Sequence, residues 1–276
     1  MLSTEIENAA EAILCADSLL IIAGAGMGVD SGLPDFRGNK GFWKAHPNFE
    51  SEQLSFEDLA NPQWFVTNPQ RAWGFYGHRH QLYKRTNPHL GFDILKQWCA
   101  SKSSNSFIYT TNVDGHFQKS GFSESMVYEC HGSINHLQCI SNCTEDIWFN
   151  DQPPLEINEQ HLLATGQLPH CIHCNGLARP NILMFYDDYW LAQRSNEQAL
   201  LFKKWTELSR NKTVAIIEIG AGISGCSARY ASQNAKGTLI RINPIDTQSD
   251  DNTITIKLGG LDALRSIHEL KVVLNY

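Results

Sequence analysis

The chain has 276 residues, 42% of them hydrophobic, and a formal net charge of −7. This length suits one large domain with an insertion or two modest domains, and the negative charge does not indicate a general nucleic-acid binder. No stretch approaches the roughly 20 apolar residues of a membrane span, and the acidic N-terminal segment lacks the basic region of a secretory signal. We therefore expect a cytoplasmic protein that binds neither nucleic acid nor membrane.

The first predicted elements are a helix, a strand and a glycine-rich turn. The N-terminal segment has the periodicity of an amphipathic helix, and the apolar run at 18–23 predicts a buried strand. The turn Gly24-Ala25-Gly26 follows, where absent side chains let the backbone approach a ligand and direct N–H groups at an anion. Gly-x-Gly after a strand opens a dinucleotide-binding turn, although Val29 stands where a third glycine is usual.

The segment that follows this turn places Asp35, Phe36 and Arg37 side by side between glycines. A connector that needed only to turn would not require an acid, an aromatic ring and a base together. Arg37 can add a charge-assisted contact to a pyrophosphate. Residues 39–70 are rich in aromatic residues and proline and are too long for a simple connector, so we predict a cofactor-binding lid with short helices there.

Further along the chain, predicted strands alternate with helices. Strands are expected at 107–110, 126–129, 179–185, 214–219 and 239–243, and helices at 71–86, 88–98 and 196–209. This alternation predicts an α/β fold with a doubly wound, parallel, Rossmann-like sheet. Ligands bind at the carboxyl ends of the strands of such a sheet, and that is where several candidate residues fall: Asn112, Asp114, His131, the second turn Gly220-Ala221-Gly222, and Asn243.

Four of the eight cysteines form two closely spaced pairs, Cys139 with Cys143 and Cys171 with Cys174. A chain without a secretory signal is a poor candidate for a disulfide framework, whereas two such pairs can fill the four corners of a structural Zn²⁺ site. The alternative is four unrelated buried thiols, which rarely occur as two pairs. We predict that residues 137–177 form a small inserted zinc-binding module and that residues 1–136 and 178–276 form the nucleotide-binding domain.

Four features together resemble the NAD-dependent sirtuins: the block GAGxxxxSGLPDFRG at 24–38, the motif TNVDG at 111–115, the motif ECHGS at 129–133, and the two cysteine pairs. The resemblance runs from about Leu19 to the C-terminus. It implies NAD as co-substrate and a bound zinc ion. It further implies that the NAD-binding residues are Gly24, Ala25, Gly26, Asp35, Phe36, Arg37, Asn112, Asp114, Gly220, Ala221, Gly222 and Asn243.

The resemblance also implies a reaction. His131 would take a proton from a ribose hydroxyl, while Asn112 and Asp114 would contact the carboxamide and the nicotinamide ribose, and Phe36 would shield the reacting carbon. The expected activity is NAD-dependent deacylation of an acyl-lysine protein or peptide, which gives nicotinamide, O-acyl-ADP-ribose and free lysine.

The sequence departs from the sirtuin pattern in three places. Thr111 stands where glutamine is common, His116-Phe117 replaces Leu-His, and Tyr186 occupies a position that is usually glycine. Tyr186 adds bulk where a substrate peptide would bind. Two alternatives therefore stay open: a mono-ADP-ribosyltransferase or NAD hydrolase that shares the cleavage step, and a nucleotide sensor without turnover, against which His131 argues.

Overall fold

The computed structural model describes residues 2–34, 52–222, 227–248 and 252–274. The strands of this part are β1 (Ser18–Ala23), β2 (Phe107–Thr110), β3 (Val127–Glu129), β4 (Gly132–Cys139), β5 (Trp148–Phe149), β6 (Ile157–Asn158), β7 (Leu163–Ala164), β8 (Ala178–Ile182), β9 (Val214–Ile219), β10 (Thr238–Ile242) and β11 (Ile254–Ile256). The α-helices are α1 (Leu2–Cys15), α2 (Phe56–Leu59), α3 (Gln63–Thr67), α4 (Pro69–Arg85), α5 (Leu90–Ala100), α6 (His116–Lys119), α7 (Gln193–Leu208), α8 (Ser227–Asn234) and α9 (Gly260–Leu274).

Six strands form a parallel sheet in the order β11-β10-β9-β1-β2-β3. Its central strands are continuous apolar runs because both faces are covered by helices. Leu19 and Ile21 of β1 pack in one cluster with residues of α1, α5 and α9. Leu20 and Ile22 face the other way, into a cluster with residues of α7 and α8. The predicted doubly wound α/β sheet is therefore confirmed.

The strand order reverses at β1, which lies in the middle of this sheet. From β1 the chain continues to β2 and β3 on one side, and it later fills the other side with β9, β10 and β11. β1 and β9 are neighbours in register, with Ala23 opposite Ile219. Open sheets of this kind have a crevice where the order reverses, outside the carboxyl ends of the strands. The two glycine turns, which follow β1 and β9, both lie there.

A second, smaller sheet is antiparallel and consists of β5, β4 and β8. The strand predicted at 179–185 forms as β8 but ends at Ile182, and it pairs with β4 and does not join the parallel sheet. Trp73 and Phe75 of α4 pack with Leu137 and Ile182 in the core beside this sheet. The predicted boundary between residues 136 and 137 falls inside β4, and the division into domains remains a prediction.

Residues 39–51 of the predicted lid lie outside the described residues, and Asp35, Phe36 and Arg37 lie outside them too. Within 52–70 the chain forms the two short helices α2 and α3. Ser55 and Asp58 form a capping box at the start of α2, which satisfies backbone N–H groups that a helix end otherwise leaves without partners. Among the helices of the described part, none has the length and apolar character required to cross a membrane.

Candidate functional site

The two glycine turns contact each other backbone to backbone at the crevice. Gly24 N–H donates to the Ile219 carbonyl at 2.9 Å, and Gly26 N–H donates to the Gly220 carbonyl at 3.1 Å. A Cβ atom on Gly220 would lie 2.4 Å from the Gly26 Cα, and Gly220 also has φ of +63°. Glycine is required because no side chain fits between the turns. In this arrangement the N–H groups of Gly24 and Gly26 bind the neighbouring backbone, whereas the sequence predicted that such groups would face an anion.

A 3-10 helix, Ala25–Ser31, continues from the first turn and ends at Gly32. Gly32 has φ of +88°, and its N–H bonds the carbonyls of the preceding turn. The Ser31 hydroxyl accepts the His89 N–H at 3.0 Å, which ties this helix to the start of α5. These contacts fix the backbone at Ser31 and Gly32, whereas Asp35, Phe36 and Arg37 lie outside the described residues. The NAD contacts predicted for those three side chains stay predictions.

Asn112 and Asp114 follow β2, next to the first turn. The Asn112 side-chain amide donates to the Gly24 carbonyl at 3.0 Å. Asp114 accepts the His116 N–H at 2.9 Å through one carboxylate oxygen, at the start of α6. Gly115, which lies between Asp114 and His116, has φ of +71°, and a Cβ there would lie 2.4 Å from the Asn135 side-chain nitrogen. Both polar side chains are half-buried and lie at the carboxyl edge of the sheet, as predicted from the sequence.

His131 follows the adjacent strand, β3, and is half-buried. Burial lowers the pKa of its imidazole below 6.5, while a hydrogen bond with the Thr111 backbone acts in the opposite direction. Its Nε2 atom lies 3.5 Å from the Ser227 hydroxyl of α8. The lowered pKa keeps the imidazole neutral at pH 7, so it can accept a proton. His131 can therefore accept a proton at the carboxyl edge of the sheet, and its role as the general base stays a prediction.

Asn243 follows β10 and is fully buried. Its side-chain nitrogen donates to the Ala221 carbonyl at 2.9 Å. Its side-chain oxygen accepts the N–H groups of Ile245 and Asp246 at 3.1 and 3.0 Å. Asn243 therefore holds the second glycine turn against the loop after β10. The predicted contact to a ribose hydroxyl stays a prediction, since the protein itself engages both amide atoms here.

The four predicted metal-binding cysteines lie in one cluster, with all Sγ atoms within 4.8 Å of one another. The Sγ atoms of Cys139 and Cys174 are 3.7 Å apart, and those of Cys143 and Cys171 are 3.6 Å apart. A tetrahedron with Zn–S bonds of about 2.3 Å has edges of roughly 3.8 Å. The thiols are therefore spaced as ligands of a metal ion, and too far apart for disulfide bonds.

Backbone N–H groups surround these sulfur atoms. The N–H groups of His173 and Gly176 donate to the Sγ atoms of Cys171 and Cys174, each at 3.4 Å. Burial opposes ionisation of Cys171, but backbone hydrogen bonds from Cys174 and His173 contribute to a pKa lowered to about 7. Bonds of this kind orient and ionise the ligands of a structural metal. The cluster fits Zn²⁺, and four thiolates leave no open position for catalysis on the metal.

The structure also shows a buried ion pair that the sequence did not indicate. Arg179 of β8 donates to both carboxylate oxygens of Asp187, at 2.8 and 2.9 Å, and both side chains are almost fully buried. The segment between them includes Tyr186, which has φ of +56°. Its hydroxyl donates to the Glu57 carboxylate at 3.0 Å. Tyr186 thus adopts the left-handed backbone that its usual glycine would favour.

A second unpredicted group lies inside the parallel sheet. Glu218 of β9 and Arg241 of β10 are cross-strand neighbours, and both are buried. The Arg241 Nε atom is 2.8 Å from a Glu218 carboxylate oxygen. Each charge is the penultimate residue of its strand, and that matched interruption of an apolar run is the sequence signal that could have identified the pair.

Comparison with known proteins agrees with this geometry. The family model described as Sir2 family matches residues 24–204. The chain belongs to the Sir2 family. The Sir2 match spans both the first glycine turn and the cysteine cluster.

Two curated members of the Sir2 family show the extent of the similarity. The chain is 31% identical over 245 residues to the NAD-dependent protein deacylase of Leptospira interrogans serogroup Icterohaemorrhagiae serovar Lai (strain 56601), which covers 87% of this chain and 86% of that protein. It is 28% identical to the NAD-dependent protein deacylase of Aquifex aeolicus (strain VF5), over 83% of this chain and 84% of that protein. A solved Sir2 homologue–NAD complex shares the fold with a TM-score of 0.73 at 20% identity, covering 98% of this chain and 95% of that one.

Proposed function

We propose that this protein is an NAD-dependent protein-lysine deacylase that converts an acyl-lysine substrate and NAD to free lysine, nicotinamide and O-acyl-ADP-ribose. The observation that carries the proposal is the position of His131. Its half-buried, neutral imidazole lies at the carboxyl edge of the sheet, next to the strand that precedes Asn112 and Asp114. Asn112 in turn bonds the first glycine turn. These positions support a proton acceptor at the crevice where a dinucleotide would bind.

NAD would bind across the point where the strand order reverses. The turns after β1 and β9 consist of glycine and alanine only, so neither turn places a bulky side chain at the crevice. Asn112 and Asp114 provide polar atoms at the edge of the crevice for the carboxamide and ribose of the nicotinamide half. Breaking the nicotinamide–ribose bond passes through an oxocarbenium-like state, which a site excluding water favours.

The remaining steps use the His131 base. The acyl oxygen of the substrate attacks ribose C1′ as nicotinamide leaves, which forms an imidate. His131 then removes a proton from a ribose hydroxyl, and this oxygen attacks the imidate carbon. Water completes the release of lysine, and the acyl group leaves as the ester O-acyl-ADP-ribose. General-base catalysis of this kind typically contributes 10²- to 10⁴-fold in rate.

The acyl-lysine would approach along the segment that follows β8. Leu183 N–H donates to the His131 carbonyl at 2.9 Å, so this segment starts at the base. It then runs outward past Phe185, which packs edge-on against Phe56 at 6.3 Å between ring centres. Leu183, Phe185 and Tyr186 each expose 39% or more of their surface, which provides an apolar border for a peptide.

The direct test is incubation of the purified protein with NAD and a set of acyl-lysine peptides, with the products identified by mass spectrometry. We expect nicotinamide and O-acyl-ADP-ribose in equal amounts, formed only when peptide is present. Transfer of ADP-ribose to protein would instead indicate a mono-ADP-ribosyltransferase. NAD consumption without peptide would indicate an NAD hydrolase, and unchanged NAD with every peptide would overturn the proposal.

A further inference from the structure

A buried cluster of charges lies behind the second glycine turn. The Glu218 carboxylate contacts two guanidinium groups, at 2.8 Å from Arg241 Nε and 3.1 Å from Arg229 Nε. The Ser232 hydroxyl also donates to Glu218. All four side chains are less than 10% exposed. Two of them, Arg229 and Ser232, come from α8, so the cluster joins this helix to β9 and β10.

The two buried guanidinium groups have N–H groups beyond those that face Glu218, and these donors must be stabilised inside the protein. Backbone carbonyls provide this stabilisation. The Arg229 Nη2 atom donates to the carbonyls of Ala221 and Asp246, both at 3.0 Å. Arg241 donates to the Gln248 carbonyl. Hydrogen bonds from the two arginines therefore hold the backbone of the second glycine turn and of the loop after β10.

The Ala221 carbonyl accepts hydrogen bonds from two side chains, because Asn243 also donates to it, at 2.9 Å. In a planar trans peptide the carbonyl and the following N–H point in opposite directions. Fixing the Ala221 carbonyl against Arg229 and Asn243 therefore turns the Gly222 N–H away from the buried cluster. Ala221 is buried whereas Gly222 is half-exposed, which agrees with a Gly222 N–H that points away from the cluster.

We propose that Arg229 is a positioning residue for NAD: by holding the Ala221–Gly222 peptide in one orientation, it directs the Gly222 N–H at the NAD diphosphate. Backbone N–H groups at a turn of this kind are well suited to bind phosphate oxygens. Glu218 and Arg241 hold the Arg229 side chain in place. This inference rests on the proposed function only in taking NAD as the ligand, and it does not depend on the fate of the acyl group.

The test compares Arg229→Met and Arg229→Lys with the wild-type protein. We expect Arg229→Met to raise the Kd for ADP-ribose, measured by calorimetry, and the KM for NAD about tenfold, which is about 1.4 kcal/mol. The kcat and the KM for the acyl peptide should change less than twofold. Arg229→Lys keeps the charge but loses the planar fork, so we expect at least a threefold rise in Kd. Arg210→Met removes an exposed arginine beyond α7 and should leave both constants unchanged.

The outcomes separate this proposal from a structural role and from the deacylase proposal. If Arg229→Met lowers the melting temperature but leaves the ADP-ribose Kd within twofold, Arg229 only stabilises the fold and the inference is wrong. Should Arg229→Met fail to fold, an unchanged Kd in folded Arg229→Lys has the same consequence. If the wild-type protein binds ADP-ribose without forming product, the deacylase proposal fails while the comparison of Kd values still decides the role of Arg229.

Discussion

The glycine-lined crevice and the cysteine cluster show two different ways of building a local structure. At the crevice, long buried strands hold two turns so closely that Gly26 and Gly220 touch through their backbones. Around the cysteines, β5, β6 and β7 have only two residues each, and Cys143 and Cys174 are exposed. The first region is positioned by hydrophobic packing, whereas the second has thiols spaced for a metal ion as a cross-link. Damage to one should therefore leave the other largely intact.

The largest effect that we expect is on the metal. Cys171→Ser should release the zinc ion and abolish hydrogen-exchange protection across 139–177, because a structural zinc site contributes on the order of 10 kcal/mol. The Kd for ADP-ribose should stay within threefold of the wild-type value. Elemental analysis, hydrogen exchange and calorimetry measure these three quantities.

The control for this variant is Cys15→Ser, since Cys15 is an exposed cysteine outside the cluster. It should retain metal and protection. Loss of ADP-ribose binding in folded Cys171→Ser would show that the crevice depends on the metal, against the separation proposed here.

The next effect concerns catalysis within the crevice. His131→Ala should lower kcat/KM about 10³-fold because the ribose hydroxyl loses its base. ADP-ribose should still bind with a Kd within twofold, since the glycine turns are untouched. The exposed His161 provides the control substitution, His161→Ala, with no expected change. Turnover of His131→Ala at the wild-type rate would exclude His131 as the base.

A pair of glycine substitutions tests the close contact between the turns. Gly220 and Gly32 both have positive φ, of +63° and +88°, but a Cβ on Gly32 would meet nothing within 4 Å. Each alanine substitution should lower the free energy of unfolding by roughly 1–2 kcal/mol, because alanine is unfavourable in a left-handed backbone conformation. Gly220→Ala should lower it by about 1–3 kcal/mol more, because the added Cβ overpacks the contact between the turns. Urea unfolding should show this difference. Equal destabilisation by the two substitutions would mean that the turns can separate without any loss of stability.

The smallest effect is on the pH dependence. Because the pKa of His131 is lowered below 6.5, the imidazole stays mostly neutral at pH 6.5. We therefore expect kcat/KM to fall by less than half between pH 7.5 and 6.5, and to fall more steeply below that. ADP-ribose binding measured over the same range shows whether the loss is catalytic. An acid limb centred above pH 6.5 would contradict this assignment of the base.

The sequence was informative wherever a feature is local. Ser18–Ala23 and Val214–Ile219 form strands as predicted because each is a continuous apolar run before a glycine turn. The cysteine cluster followed from spacing alone, since two short pairs can converge on one ion. The catalytic candidates also lie where strand ends were predicted, and their roles in the reaction remain predictions.

The features missed from the sequence depend on contacts between distant segments. A strand was predicted at 179–185, but nothing local shows that β8 pairs with β4 in the smaller sheet. The cluster of Glu218, Arg229 and Arg241 requires knowing that β9 and β10 are neighbours in register. Asn243 was predicted to contact NAD because it follows a strand, yet its burial against Ala221 became visible only in three dimensions.

The central claim is that the acyl oxygen attacks the NAD ribose before His131 acts. The most direct measurement is turnover of a peptide whose acyl oxygen carries ¹⁸O, followed by ester hydrolysis of the product and mass spectrometry of the ADP-ribose. We predict that the label appears in the ADP-ribose, because that oxygen becomes bonded to C1′. Unlabelled ADP-ribose, with the label retained in the released acyl acid, would contradict the mechanism.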